Sequence, residues 1–69
     1  MDAAKKSIWY EWRRMYYRSR TLMVTLDGMD TYERGYVVIS NELDELNSQM
    51  AELEDDNDPW LAELISDEF

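Results

Sequence analysis

Residues 32–53, YERGYVVISNELDELNSQMAEL, carry the pattern that decides the fold. Apolar or aromatic side chains recur there at intervals of four and three residues: Tyr32, Tyr36, Ile39, Leu43, Leu46, Met50 and Leu53. Because an α-helix turns once every 3.6 residues, this spacing places all of them on one face. Polar and acidic residues fill the positions between the stripe members. The pattern predicts an amphipathic helix over residues 40–55, with Leu46 in the core.

The same spacing occurs nearer the N-terminus, with one polar member. The stripe there consists of Ile8, Trp12, Met15, Ser19, Leu22 and Leu26. Three adjacent pairs of large side chains accompany it at seven-residue intervals: Trp9/Tyr10, Tyr16/Tyr17 and Met23/Val24. A helix with this pattern is apolar over more than half of its circumference. It is therefore expected to be central in the fold or to present a contact surface.

The segment between the two stripes has a helical interpretation. The first helix then ends at Asp27 and Gly28, with the glycine in the left-handed conformation. Asp30, followed three residues later by Glu33, resembles a capping box that opens the second helix. This interpretation predicts a mainly α fold, in which a helical hairpin is followed by a short C-terminal helix.

The same segment also has an extended interpretation. Residues 21–26 and 36–40 alternate or are rich in β-branched side chains, as a β-hairpin requires. Gly35 favours this alternative, because a glycine inside a helix costs roughly 1 kcal/mol. Ser40 or Asn41 would then cap the later helix. The alternative fold is α+β, a helix, a β-hairpin and a helix, with the same short C-terminal helix.

The C-terminal helix is predicted from its cap and its face. Asp58 is a favourable N-cap residue, and Pro59 suits the first helical position. One apolar face then follows, made of Trp60, Leu61, Leu64 and Ile65. This helix is expected to cover the wide apolar side of the first helix. The whole chain, residues 1–69, is expected to form a single small domain.

Composition excludes several kinds of function. The chain has no Cys and no His, which rules out disulfides, Cys/His metal sites and nucleophiles activated by histidine. A calcium loop counted from Glu54 would need glycine where Pro59 stands and an acid where Ile65 stands. We therefore expect no enzyme activity, no catalytic residue, no cofactor and no metal site. The carboxylate pairs are interpreted as ordinary surface charge.

Charge is polarised along the chain, whose net charge is −9. Residues 1–20 are basic overall, whereas residues 36–69 contain acidic groups and no basic one. We expect the basic segment to lie against part of the acidic remainder. The net charge should repel nucleic acid and anionic lipid, so the expected partner is a basic protein. Without an apolar run that could cross a membrane, the expected location is cytoplasmic.

Two surfaces are candidates for partner binding. The acidic candidates are Glu42, Asp44, Glu45, Glu52, Glu54, Asp55, Asp56 and Asp58. Trp9, Tyr10 and Tyr17 are expected to be exposed aromatic anchors beside them, because Tyr, Trp and Arg dominate binding hot spots. The alternatives stay open: a solvated acidic face that only confers solubility, and a basic segment whose Ile8 and Trp12 are simply core.

The segments NELDELNSQMAELEDDND (residues 41–58) and SIWYEWRRMYY (residues 7–17) support a resemblance. With its small size and acidity, the chain resembles the cysteine-free inhibitors encoded by bacteriophages, including anti-CRISPR proteins and DNA-mimic anti-restriction proteins. The resemblance carries over no site residues. It implies stoichiometric blockade of a bacterial defence complex, often at its nucleic-acid-binding surface, in the cytoplasm of the host cell.

Two hypotheses of function follow. The first is a non-enzymatic inhibitor or interaction protein that binds a basic protein surface, such as one that otherwise binds nucleic acid. The second is a structural or assembly subunit, in which the apolar stripes form a helical homo-oligomer between chains.

Overall fold

The computed structural model describes residues 2–69, which form three α-helices. They are α1 (Ala3–Asp27), α2 (Arg34–Asp56) and α3 (Trp60–Glu68). No strand occurs in this described range, and both segments considered for a β-hairpin are helical. The mainly α prediction is therefore confirmed, and the α+β alternative is wrong. The short connection between α1 and α2 makes them an antiparallel hairpin in a molecule of 45 × 19 × 17 Å.

Asp2 caps the start of α1. Its carboxylate accepts a hydrogen bond from the backbone N–H of Lys5 at 2.8 Å. At the other end of the helix, the N–H of Gly28 donates to the carbonyl oxygen of Thr25 at 3.2 Å. Gly28 has φ −89° and ψ 0°, so the expected left-handed conformation is wrong. The helix tightens into a final 3₁₀-type turn, which needs no positive φ.

The start of α2 also differs from the prediction. The backbone N–H of Glu33 donates to the carbonyl oxygen of Asp30 at 3.0 Å, so these residues form a turn before the helix. Glu33 is itself the N-cap residue and makes no side-chain capping bond. The expected capping box is therefore wrong, because the helix begins only at Arg34. Gly35 lies in the first turn of α2, close to the side chain of Met29.

The short helix α3 begins one residue later than predicted, so the assignment of Asp58 as its N-cap residue is wrong. Pro59 is the N-cap residue, and the helix begins at Trp60. Asn57 closes the preceding helix, because its side-chain amide donates to the carbonyl oxygen of Leu53 at 2.7 Å. The N–H of Leu61 then donates to the carbonyl oxygen of Asn57 at 3.1 Å, which brings α3 directly after α2.

The core lies at the end of the hairpin that carries the chain termini. It contains Trp9, Trp12 and Met15 from α1, Met50 from α2 and Leu61 from α3. Half-buried side chains surround it: Ile8, Tyr16, Leu46, Leu53, Trp60, Leu64 and Ile65. The expectation that the last helix covers the apolar side of α1 is confirmed. Leu61 is the most deeply buried of the core side chains, at 0% exposure.

Three stripe positions have unequal environments. Leu46 packs against the core but is only half-buried, so the prediction that it lies in the core is met in part. Met50, one turn further on, is buried instead, because α3 lies over that part of α2. Ser19 is buried with its hydroxyl donating to the carbonyl oxygen of Tyr16 at 2.7 Å, which satisfies the one polar member of the first stripe.

Candidate functional site

The outer side of α2 carries the most concentrated negative charge. Its exposed carboxylates are Asp44, Glu45, Glu52, Asp55 and Asp56, and together they are called the acidic face below. They point away from Met50, the buried residue of the helix. Within residues 2–69, no basic side chain forms an ion pair with any of the five. These carboxylates are free to attract a cationic surface outside the molecule.

The other three acidic candidates are placed differently. Glu42 is half-buried and accepts two hydrogen bonds from Arg18 of α1, so it faces the partner helix. Glu54 is also half-buried, near the end of α2. Asp58 is exposed in the turn before α3. The structure thus separates Glu42 from the acidic face and leaves Glu54 and Asp58 at its C-terminal edge.

A shallow depression lies between α2 and α3. It has a volume of about 300 Å³ and is lined by Ala51, Glu54, Asp55, Asp58 and Ala62. Two small methyl side chains and three carboxylates thus surround one concavity. This combination suits an arginine or lysine side chain, whose stem packs on the alanines while its charged group meets the carboxylates.

The aromatic candidates are not equivalent. Tyr10 and Tyr17 are 53% and 51% exposed, as expected of contact residues. Trp9 is only 7% exposed, so the expectation of an exposed anchor is wrong. Its ring stacks on that of Trp12 at a centroid distance of 5.7 Å. The guanidinium of Arg13 lies over the Trp9 ring, 5.8 Å from its centroid, at a distance typical of a cation–π contact.

Phe69 packs against aromatic side chains of α1, a contact that was not predicted from the sequence. Its ring lies 4.7 Å from that of Tyr16 and 5.7 Å from that of Trp12, centroid to centroid. Tyr17 also meets it, at 6.2 Å. The signal in the sequence was its spacing, since Leu61, Ile65 and Phe69 are four residues apart and continue the apolar side of α3. The exposed Tyr17 therefore packs against the aromatic cluster that Phe69 forms with Tyr16 and Trp12.

The outer side of α1 carries charge of the opposite sign. Lys6, Arg13 and Arg20 recur every seven residues, and Tyr10, Tyr17 and Val24 run beside them with the same period. Residues seven apart on a helix differ in direction by only about 20°, so both rows lie on one side. This side points away from the buried Met15 and Leu22, whereas Arg13 at its edge is half-buried beside Trp9. The six residues are called the basic face below.

The expectation that the basic segment lies against the acidic remainder is met only in part. Arg18 pairs with Glu42 across the hairpin, and the Lys5 ammonium lies 5.2 Å from the ring centroid of Trp60 in α3. Arg14 pairs within its own helix, at 4.0 Å from Glu11. Among the described residues, Lys6, Arg13 and Arg20 form no ion pair. The hairpin therefore keeps a basic side and an acidic side.

Metal-binding clusters and membrane-spanning helices are absent from the described part of the chain. Residues 2–69 contain no group of three or more carboxylates placed to hold a metal ion. None of the helices described has both the length and the apolar character needed to cross a bilayer. Comparison of the chain with protein-family models, with curated proteins and with solved structures finds no match.

Proposed function

We propose that this protein is a non-enzymatic binding protein whose acidic face attaches to a basic surface of another protein. The observation that carries the proposal is the row of five exposed carboxylates on α2 without an internal cationic partner among the described residues. Leaving like charges together on one helix destabilises the free protein. Binding to a cationic surface relieves that repulsion and accelerates the encounter.

The depression beside the acidic face supports a specific mode of contact. Surface charge alone gives weak and poorly oriented binding. A concavity rimmed by Glu54, Asp55 and Asp58 adds a position for one arginine or lysine of the partner. Charge-assisted hydrogen bonds to that side chain would fix the orientation in which the two proteins meet.

The spacing of the carboxylates supports a partner that otherwise binds nucleic acid. Glu52 lies three and four residues from Asp55 and Asp56, so their β-carbons are about 5–6 Å apart. Phosphates along a nucleic-acid strand present negative charge at comparable intervals, and proteins that bind them line their grooves with Lys and Arg. The protein would occupy such a groove as a decoy. In keeping with the resemblance to phage-encoded inhibitors, the proposed target is a defence complex in the bacterial cytoplasm.

The hypothesis of a homo-oligomer assembled through the apolar stripes is less well supported. Those stripes pack against each other within one chain, where Trp12, Met15 and Leu22 of α1 are buried. A bundle between chains would have to use the same side chains. The acidic face needs no such rearrangement and is accessible in the folded monomer.

Affinity capture from a bacterial lysate tests the proposal. The wild-type protein and a neutralised variant, Glu52→Gln/Asp55→Asn/Asp56→Asn, serve as matched baits, and mass spectrometry identifies the proteins retained. We expect the wild-type bait to enrich one basic nucleic-acid-binding protein that the variant does not retain. Purified, that partner should release the protein when its own DNA or RNA is added. Equal retention by both baits, or simultaneous binding of nucleic acid without loss of affinity, would contradict the proposal.

A further inference from the structure

We propose that the basic face of α1 binds the acidic face of α2 of a second copy, so that the chains associate head to tail. This inference concerns the protein alone and does not depend on the basic partner proposed above. It assigns a role to the Tyr and Arg side chains on the side of the molecule that the acidic face does not use.

The cations of the basic face have no acidic partner within the described molecule, although Arg13 lies over the ring of Trp9. Lys6, Arg13 and Arg20 form no ion pair within residues 2–69. Tyr10, Tyr17 and Val24 are exposed beside them, and Val24 is the most exposed of the three at 71%. Three cations and three large side chains in parallel rows are typical of a helix surface that packs on another helix, because charged positions there flank an apolar seam.

The acidic face of α2 matches the basic face in sign and in period. Glu45 and Glu52 are seven residues apart, as are Arg13 and Arg20. At a rise of 1.5 Å per residue, each pair spans about 10.5 Å along its helix. Two parallel or antiparallel helices can therefore form both ion pairs at once. The hydroxyls of Tyr10 and Tyr17 can donate hydrogen bonds to carboxylates in the same contact.

One chain cannot bring its own two faces together. The basic face lies on the side of α1 away from Met15 and Leu22, and the acidic face lies on the side of α2 away from Met50. The two faces therefore point away from each other across the hairpin. A contact between them requires different patches on two copies, which makes it heterologous and gives a head-to-tail chain rather than a closed dimer.

A second copy explains the basic face better than nucleic acid does. The whole protein has a net charge of −9, which repels a polyanion at long range. A second copy has the same net charge, and at an ionic strength of 0.1 M screening limits the repulsion to about 10 Å for either partner, so net charge alone does not distinguish them. Arg13 and Arg20 have the same seven-residue spacing as Glu45 and Glu52, and this match within one chain favours a second copy.

Sedimentation equilibrium tests the proposal with two neutral variants. Arg13→Gln/Arg20→Gln removes charge from the basic face, and Glu45→Gln/Glu52→Gln removes it from the acidic face. Glutamine has nearly the same helix propensity as the residues it replaces, and circular dichroism checks that both variants remain folded. Arg14→Gln is the control, because Arg14 already pairs with Glu11 at 4.0 Å.

In 0.1 M NaCl, the average mass of the wild type should rise with concentration to at least twice its monomer mass of 8.3 kDa. Association should weaken roughly tenfold or more in 1 M NaCl, where the screening length is about 3 Å. Each neutral variant alone should stay monomeric, whereas Arg14→Gln should behave as the wild type. An equimolar mixture of the two variants should stop at a 1:1 dimer, because only one matching pair of faces remains.

Four results would overturn the proposal. The wild type could stay monomeric at all concentrations, or its association could persist unchanged in 1 M NaCl. The neutral variants could each associate as the wild type does, or their equimolar mixture could fail to form the dimer. Binding of a single-stranded oligonucleotide by a monomeric wild type, lost in Arg13→Gln/Arg20→Gln, would assign the basic face to nucleic acid instead. Since no third protein is present, these experiments do not test the proposed function, and a copy bound at the acidic face would compete with the basic partner for it.

Discussion

Arg18 and Glu42 form the ion pair that connects the two long helices. The Nε and Nη2 atoms of Arg18 both donate to Oε1 of Glu42, at 3.2 and 3.0 Å. Within residues 2–69 it is the one ion pair between α1 and α2. The remaining charges of the hairpin therefore stay on its outer sides, where they determine what each side attracts.

The Arg18–Glu42 pair should contribute little to stability. The two side chains are 53% and 43% exposed, so water and salt screen their attraction. We expect Arg18→Gln to lower the free energy of unfolding by no more than about 1 kcal/mol. Urea denaturation measures this value, with Arg14→Gln as a control on the same helix. A loss above about 2 kcal/mol would mean that the pair determines how the helices align.

Leu61 should be the most sensitive position of α3. Its side chain is fully buried among Trp9, Trp12, Met15 and Met50, so truncation leaves a cavity. Leu61→Ala should lower the free energy of unfolding by roughly 2–5 kcal/mol. In a domain of this size, that loss is a large part of the total stability.

Leu46→Ala is the matched comparison for Leu61→Ala. Leu46 packs against the same core but is half-buried, so it loses less apolar contact on truncation. Urea or thermal denaturation should place its effect clearly below that of Leu61→Ala. Equal losses at the two positions would show that α3 does not cover the core as described.

The helices could be predicted from the sequence because the apolar period of each long segment is regular. The turn between them could not be predicted in detail. Tyr32 continues the spacing of the second stripe, yet it lies before α2 and is 96% exposed. Gly35 favoured the strand prediction, because glycine is unfavourable inside a helix. In the structure it lies in the first turn of α2, outside the apolar stripe, and close to Met29. Periodicity identifies a helix but does not fix its first residue.

The acidic face could be predicted from the sequence, whereas the aromatic anchors could be predicted only in part. Tyr10 and Trp9 are neighbours on a helix that is apolar over more than half its circumference. The packing position of α3 determines whether Trp9 or Tyr10 is covered. This position depends on long-range contacts, which local sequence patterns do not predict. Phe69 adds to that cover, at 6.3 Å from Trp9 between ring centroids.

Trp9 and Tyr10 should therefore differ strongly on truncation. Trp9→Ala removes a 7% exposed ring from the core and should cost roughly 3–5 kcal/mol of unfolding free energy. Tyr10→Ala removes a half-exposed ring and should change stability by about 0.5 kcal/mol or little more. Thermal denaturation followed by circular dichroism compares the two. A destabilised Tyr10→Ala with a normal Trp9→Ala would reverse the assignment of core and surface.

Gly35→Ala should stabilise the protein. Gly35 is in the first turn of α2 and does not have a positive φ, so alanine fits its backbone. A Cβ atom there would lie 3.3 Å from Cε of Met29, which is the flexible end of a side chain and can move by a few tenths of an ångström. Alanine reduces the conformational entropy of the unfolded chain, a gain of about 0.4–1 kcal/mol.

Chemical denaturation measures the effect of Gly35→Ala against Gly28→Ala. Gly28 also has a negative φ, and a Cβ there would make an ordinary contact of 3.7 Å with the carbonyl oxygen of Thr25. Because this contact needs no adjustment, Gly28→Ala reports the entropic gain alone. If only Gly35→Ala proved destabilising, the side chain of Met29 would be held too firmly to move.

Charge reversal on the acidic face should act on the rate of association with the basic partner. In Glu52→Lys/Asp55→Lys/Asp56→Lys, the face that steers the encounter becomes repulsive. Long-range charge acts mainly on the encounter, whereas dissociation depends on contacts already formed. We therefore expect a lower association rate constant and a smaller change in the dissociation rate constant. Surface plasmon resonance with the captured partner measures both.

Asp27→Lys/Asp30→Lys/Glu33→Lys is the matched control for this reversal. It changes the net charge by the same amount but lies at the turn end of the hairpin, and all three side chains are exposed. Because screening confines charge effects to about 10 Å at 0.1 M ionic strength, this variant should associate nearly as fast as the wild type. In 1 M salt the rates of all three proteins should converge. If both variants slowed association equally, only net charge would matter, and if neither did, the acidic face would serve solubility alone.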